Sequence, residues 1–223
     1  NFEPRKIHTR SFGRESQWVE ARVFDGHDKE VPPNHPGELV IRSNANEPRQ
    51  GFFSGYLKNE EATEEAWKSG WFHTGDAVIQ DDEGFFYFLD RKKNIIRRSG
   101  ENIAAAEVDA CLTAHDRVKQ VAVIAAPDEV REEEIMACVV AKSPEDIVDQ
   151  AGQTQLANDL FDWCYERIAY FKAPGWVLFL DSLPLGTSAK VQKIHIFPEG
   201  TDPREQDGAI DLRAHKKQKI RSA

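Results

Sequence analysis

The spacing of apolar residues changes near residue 90, and that change limits the fold more than any single motif does. Before it, short apolar stretches sit between turn signals. Trp18-Val-Glu-Ala-Arg-Val-Phe24 alternates as a half-buried strand does, Glu38-Leu-Val-Ile-Arg42 makes a second strand, and Phe85-Phe-Tyr-Phe-Leu89 makes a third after the Asp81-Asp-Glu-Gly84 turn. Asn59 offers its side chain as a cap for a helix through Glu60-Glu-Ala-Thr-Glu-Glu-Ala-Trp67. After residue 90 helical spacing enters. A helix over about 104–114 puts Val108, Cys111 and Leu112 on one face, and one over about 153–169 carries Leu156, Leu160, Cys164 and Ile168 every four residues. Strands at about 121–125, 135–141 and 176–180 separate these helices. The pattern predicts an α+β fold: a β-rich segment over 1–90, a small α+β domain over 91–197, and a polar tail over 198–223, solvated and mobile, with Arg213, Lys216, Lys217, Lys219 and Arg221 near its end.

The chain has 223 residues, enough for one or two domains with a sizeable core. Its net charge of −9 argues against nonspecific binding to nucleic acid, which needs a basic surface. The longest apolar runs, Val121-Ala-Val-Ile-Ala-Ala126 and Trp176-Val-Leu-Phe-Leu180, are strand-length, so no membrane segment is expected. Cys111, Cys138 and Cys164 are odd in number and form no close pair. That speaks against a disulfide scaffold or zinc knuckle and fits a reducing, cytoplasmic compartment. Met136 is the single methionine, so the chain opens at Asn1 without an initiator. Either removal of that residue or a fragment of a longer protein would explain the opening.

Three short constellations could carry chemistry. In Gly70-Trp-Phe-His-Thr-Gly-Asp76, a small Thr-Gly step at the end of an aromatic strand could aim a carboxylate at a sugar, where one carboxylate accepts from two adjacent hydroxyls. An ordinary turn aspartate is the competing reading. Asp90-Arg-Lys-Lys-Asn-Ile-Ile-Arg-Arg-Ser-Gly-Glu-Asn102 places five basic side chains within residues 91–98, suited to phosphate oxygens or else forming a solvated strand face. Its Ser99-Gly100 step allows a tight turn and close approach of backbone to a ligand. In Leu183-Pro-Leu-Gly-Thr-Ser-Ala-Lys190, a lysine at the tip of a small-residue loop could reach a distant anion or simply be a surface lysine. The seven histidines show no metal-ligand spacing, and no phosphate-binding Gly-x-x-x-x-Gly-Lys loop or Gly-x-Ser-x-Gly elbow occurs.

Taken in order, these motifs resemble the C-terminal third to half of the acyl-CoA synthetase, adenylate-forming enzyme superfamily. The resemblance runs over roughly residues 10–197. It includes Gly37-Glu-Leu-Val-Ile-Arg42, Gly51-Phe-Phe-Ser-Gly-Tyr56, Glu61-Ala-Thr63, Gly70–Asp76, Asp90-Arg91, Ser99-Gly-Glu-Asn-Ile103, Glu107-Val108, Pro127-Asp128 and Ala169-Tyr-Phe-Lys-Ala-Pro174. It implies that residues 1–90 are the β-rich end of a large N-terminal AMP-binding domain, followed by a small mobile C-terminal domain. Asp76 then resembles the residue that binds both ribose hydroxyls of ATP, and Arg91 the arginine on the nucleotide's ribose or phosphate. Asp90 and Lys93 fall at the hinge between domains. Ser99, Gly100 and Glu101 match the loop that lines the pantetheine tunnel of CoA, and Arg131 sits where some medium-chain synthetases place an arginine on CoA phosphates. Lys190 matches the catalytic lysine that bridges the carboxylate and the α-phosphate during adenylation. Ala189 stands where the family usually has glycine, a departure that would cost roughly 1 kcal/mol if the turn needs a positive φ.

The resemblance further implies a full-length enzyme that uses ATP, Mg²⁺ and CoA to convert a carboxylate to its thioester, most like ligases of the fatty-acyl or carnitine type. The family's upstream phosphate loop, acyl pocket and magnesium motif do not occur in this sequence. The expectation is therefore a C-terminal fragment, inactive alone, with no metal site and no cofactor held tightly, whose partner is the missing N-terminal domain. Two other readings remain: loading of a carrier-protein thiol, or a degenerate, non-catalytic binding module.

Overall fold

The alternating segments of the first ninety residues pair into one antiparallel sheet. The computed structural model describes Lys6, residues 9–187 and 189–217, and the backbone of 218–222. Strands β1 (Ser11–Gly13), β2 (Val19–Phe24), β3 (Pro36–Ser43), β4 (Phe72–Gln80) and β5 (Phe86–Arg91) lie in the order β1-β5-β4-β3-β2. Ala21, Val23, Val78 and Phe86 form one buried cluster, and Phe24, Val40 and Trp71 a second, in which the Phe24 ring meets Trp71 edge-on at 5.4 Å. Helix α1 (Glu60–Ala66) starts where the sequence places its cap: Asn59 Oδ1 accepts from the Ala62 amide at 3.0 Å. The chain divides into two compact units between Lys93 and Asn94, within the 3₁₀ turn Lys92–Asn94.

The second unit is a mixed sheet with helices on one face. It comprises β6 (Ile95–Arg98), β7 (Glu101–Ala104), α2 (Ala105–Thr113), β8 (Val118–Asp128), β9 (Glu132–Ala141), α3 (Gln150–Arg167), β10 (Trp176–Phe179), β11 (Ile210–Asp211) and α4 (Arg213–Ser222). Strand β9 is central. It pairs antiparallel with β8, parallel with β10 and, at Glu132, with Arg98 of β6. Its two faces feed two cores. Ile135, Ala137 and Val139 meet Val108, Leu112, Leu156, Leu160 and Phe161 of α2 and α3. Met136, Cys138 and Val140 meet Trp176, Leu178 and Leu183, with Val191, Ile196 and Phe197 over them. A strand buried on both faces reads as a near-continuous apolar run, which is why β9 was legible. Each such leucine removed from water contributes about 1.5–3 kcal/mol.

Two expectations need correcting. The basic run 91–98 is not a uniformly solvated face: Arg98 is buried against Glu134, and Lys92 is paired with Glu38 at 2.7 Å. The stretch after Pro198 is not a solvated tail. Strand β11 pairs antiparallel with β10 (Trp176 opposite Asp211), Leu212 joins the core under α3, and Lys216 is 2% exposed. A segment with so few apolar residues docks because its basic groups find carboxylates on the sheet: Arg213 pairs with Asp128 of β8 and Lys216 with Glu134 of β9. The side chains of Lys219 and Arg221 lie outside the described residues. No helix among the described residues is long and apolar enough to cross a membrane.

Candidate functional site

In the first unit, register slips at the end of two strand pairs create the site. Between β3 and β4, Glu38 faces Ala77 and Val40 faces His73, so Thr74, Gly75 and Asp76 stand opposite the single residue Leu39. Bulges of this kind re-aim side chains. Gly75 takes φ +72°, which glycine enters without strain. Thr74 fastens the bulge: its hydroxyl donates to the Leu39 carbonyl at 2.8 Å and accepts from the Asp76 amide at 3.1 Å. Asp76 then lies directly opposite Arg91 on β5.

The two side chains meet, with Arg91 Nη1 2.9 Å from Asp76 Oδ1. Nη1 aims its hydrogen bond at the Thr74 carbonyl, 3.1 Å away, and Asp76 Oδ1 is left without a hydrogen-bond donor. A partly exposed carboxylate beside a guanidinium suits a ligand that presents hydroxyls next to an anion. Gly75, Arg91, Lys92 and Lys93 line an open cleft of about 610 Å³ beside the pair.

Sequence reasoning missed the group that holds this corner. Glu38, with its side chain 5% exposed, accepts from the Gly75 amide at 3.0 Å, from Lys92 Nζ at 2.7 Å and from His73 Nδ1 at 3.1 Å. A carboxylate can only accept, so Nδ1 of His73 carries its proton. Burial pushes the Glu38 carboxyl up, but Lys92 and His73 outweigh it and hold the group below its ordinary range. Glu38 opens an otherwise apolar strand segment, and that misplaced charge was the available signal. Asp90 is also buried and accepts from the Arg91 amide at 2.7 Å, fixing the strand end just ahead of Lys93.

In the second unit, β6 and β7 form a hairpin closed by two residues, Ser99 (φ +52°) and Gly100 (φ +83°). Two positive φ values make the turn whose twist matches the strands. Arg98 and Glu101 face each other across it. The Ser99 amide donates to the Arg131 carbonyl at 3.1 Å, so Ser99, Gly100 and Glu101 share a corner with the β8–β9 turn. That turn is organised by Asp128 Oδ1, which accepts from the Val130 and Arg131 amides at 3.0 and 2.9 Å.

Lys190 sits on a different turn of the same unit and is exposed. The Gly186 amide donates to the Lys190 carbonyl at 2.8 Å and the Ala189 amide to the Gly186 carbonyl at 2.9 Å, closing a tight loop between Leu185 and Val191. Ala189 takes φ +57°, the left-handed conformation that glycine takes without cost. Ser188 of this loop lies outside the described residues. Just beyond, Lys193 Nζ binds Asp109 Oδ2 of α2 at 2.7 Å and anchors the segment. The structure thus joins Asp76 with Arg91, and Ser99, Gly100 and Glu101 with Arg131, while Lys190 stands on a loop of its own. Among the described residues no group of three or more His, Cys, Asp or Glu could hold a metal ion.

Comparison with known proteins points one way. Residues 107–190 match the AMP-binding enzyme C-terminal domain family. The chain is 39% identical over 187 residues to a crotonobetaine/carnitine–CoA ligase of Proteus mirabilis, covering 83% of this chain and 34% of that protein. It is 34% identical over 182 residues to the protein of the same name from an Escherichia coli strain, covering 81% and 33%. Among solved structures, o-succinylbenzoate CoA synthetase from Bacillus subtilis, in complex with its acyl-adenylate intermediate, superposes with a TM-score of 0.66 at 31% identity, over 82% of this chain and 34% of that one. ATP-bound MatB from Rhodopseudomonas palustris gives 0.63 at 29% identity, over 82% and 34%. The chain spans about a third of the length of the curated relatives it matches.

Proposed function

Since the chain belongs to the adenylate-forming, AMP-binding enzymes and corresponds to the C-terminal portion of an acyl-CoA synthetase, we propose that it is the C-terminal part of an ATP-dependent carboxylate–CoA ligase, active only together with the N-terminal domain its relatives possess. In the first half-reaction a carboxylate oxygen attacks the α-phosphorus of ATP and pyrophosphate leaves. In the second, the CoA sulfur attacks the acyl carbonyl and AMP leaves. Asp76 accepts from the ribose hydroxyls and Arg91 stands over the adjoining phosphate side. Lys190 sits between two anions, carboxylate and phosphate, cancels their repulsion and stabilises charge that builds in the transition state; such a group supplies about 10²–10³ in rate. Ser99, Gly100 and Glu101 border the acceptor's path, with Arg131 on its phosphates. Magnesium, when bound, would neutralise charge on the ATP phosphates, and among the described residues no cluster would hold it.

The pivot between half-reactions falls at the Asp90–Lys93 segment. Arg91 is held by strand pairing and Lys92 by Glu38, so Lys93 is the first residue of that run without such a tie. Backbone change in domain switching concentrates in a few such residues. The alternative acceptor is a carrier-protein thiol. Arg131 at the hairpin favours CoA, whose phosphates it can pair. The observation that carries the nucleotide reading is the partly exposed Asp76–Arg91 pair that the bulge brings together. In the full-length protein, Asp76→Ala is expected to raise KM for ATP by at least about tenfold, the value of one or two lost charge-assisted hydrogen bonds, in a pyrophosphate-release assay that depends on added carboxylate. An unchanged KM contradicts the assignment.

A further inference from the structure

The segment after Pro198 lies outside the residues matched to the family domain, yet it delivers a lysine to the interior. Lys216 on α4 is 2% exposed, Glu134 on β9 is fully buried and Arg98 on β6 is 7% exposed. One oxygen, Glu134 Oε1, accepts from Arg98 Nε at 2.8 Å and from Lys216 Nζ at 3.1 Å. Lys216 also donates to the carbonyls of Phe171 at 2.9 Å and Ala173 at 2.6 Å. Gly175 makes the approach possible, because a Cβ there would meet Glu134 Cγ at 2.3 Å. Burial lowers the Lys216 ammonium to about 8, with Glu134 working in the opposite direction. Burying such charges costs several kcal/mol per ion before pairing offsets it, so their arrangement invites a role beyond stability.

What the buried cluster grips is the hairpin. Arg98 is the residue immediately before Ser99 and Gly100, and its side chain is fixed by the same carboxylate oxygen that fixes Lys216. A second ion pair reaches the other half of that corner independently. Arg213, the first residue of α4, donates from Nη1 to Asp128 Oδ2 at 3.0 Å, while Asp128 Oδ1 holds the Val130 and Arg131 amides. Arg213 is itself oriented by Asp211, whose carboxylate accepts from its Nε at 3.0 Å and its Nη2 at 2.8 Å, and lies 4.7 Å from the centre of the Trp176 ring. The Lys190 turn is tied elsewhere, through Lys193 and Asp109.

We infer that β11 and α4 form a strap that positions the acceptor-binding corner: Lys216, through Glu134 and Arg98, sets the Ser99–Gly100 hairpin, and Arg213, through Asp128, sets the turn bearing Arg131. The inference rests on the proposed CoA role of that corner. Lys216 is a positioning residue, buried away from any ligand; Arg213 borders the same cleft as Arg131 and acts on that turn through Asp128. Their influence falls on thioester formation and spares adenylation.

The test uses the full-length enzyme with Lys216→Met and, separately, Arg213→Gln. Hydrogen exchange is read at the Ser99, Gly100, Val130 and Arg131 amides, alongside acyl-AMP formation from ATP and thioester formation from supplied acyl-AMP. Amide exchange at the corner is expected to quicken about tenfold as local opening becomes easier. KM for CoA should rise about tenfold or more, as small misplacements of binding groups do, with acyl-AMP formation nearly unchanged. Arg213 is partly exposed, so its variant keeps the test open if Lys216→Met fails to fold. Unchanged exchange and unchanged KM for CoA overturn the inference, and so does equal loss of both half-reactions. Faster exchange in the variants of an enzyme whose unsubstituted form makes acyl-AMP but no CoA thioester would uphold the strap and overturn the CoA assignment.

Discussion

Ala189 carries a left-handed backbone, φ +57°, directly before the candidate catalytic lysine. An alanine there is strained by roughly 1 kcal/mol, whereas glycine is not. Glycine's extra freedom in the unfolded chain offsets part of the gain, by about 0.4–1 kcal/mol. Ala189→Gly should therefore leave stability unchanged or raise it, where the same exchange inside a helix costs about 1 kcal/mol. Urea unfolding of the two forms measures this, and a loss of 1 kcal/mol or more would show that the turn does not need the positive φ. At this scale the sequence was readable where chemistry is local. Asp76 follows a Thr-Gly step and Arg91 closes a strand, so both were nameable. Glu134 and Lys216 were not, because their charges are buried only through partners 36 to 82 positions away and spacing along the chain carries no trace of them; Glu38 showed only as a charge at the head of an apolar segment.

At the scale of elements, the β3–β4 bulge depends on one carboxylate. Glu38 holds the Gly75 amide, His73 and Lys92 together, and its carboxyl lies below the ordinary range in the folded chain. As pH falls the unfolded chain takes up this proton first, so the stabilisation is complete above the ordinary glutamate range, near pH 4.5, and is lost as pH drops through the lowered folded value. Glu38→Gln should cost about 1–3 kcal/mol at neutral pH and flatten this part of the acid dependence, read by urea unfolding from neutral pH down to about pH 3, below the ordinary glutamate range. Equal acid sensitivity in both forms would contradict the role. Elements differed in how visible they were. Helix α3 showed in the four-residue spacing of Leu156, Leu160 and Cys164, though it begins earlier than its apolar residues because Asp149 caps it, accepting from the Gly152 amide at 2.7 Å. Strands β6 and β7 were hidden, since Arg97, Arg98, Glu101 and Asn102 mask their alternation and only the Ser-Gly step marks the turn. Strand β11 and α4 were read as tail because Ile210 and Leu212 are their few apolar anchors and much of the docking is by ion pairs.

For the whole molecule, two units joined at Lys93 and Asn94 carry different parts of one proposed reaction. The first offers the nucleotide corner of Asp76 and Arg91, and the second offers an acceptor corner and a separately mounted lysine. Family membership was legible because many short motifs keep their order across both units, even though each motif alone fits a bland surface reading. The acyl substrate was not legible, because none of the motifs that carry the resemblance lines an acyl pocket. The separate mounting of Lys190 leads to the most direct test. In the full-length enzyme, Lys190→Ala is expected to slow acyl-AMP formation by about 10²–10³, while thioester formation from supplied acyl-AMP stays largely intact, each half-reaction being followed by rapid-mixing kinetics. An equal loss in both half-reactions, or none in either, would contradict the account.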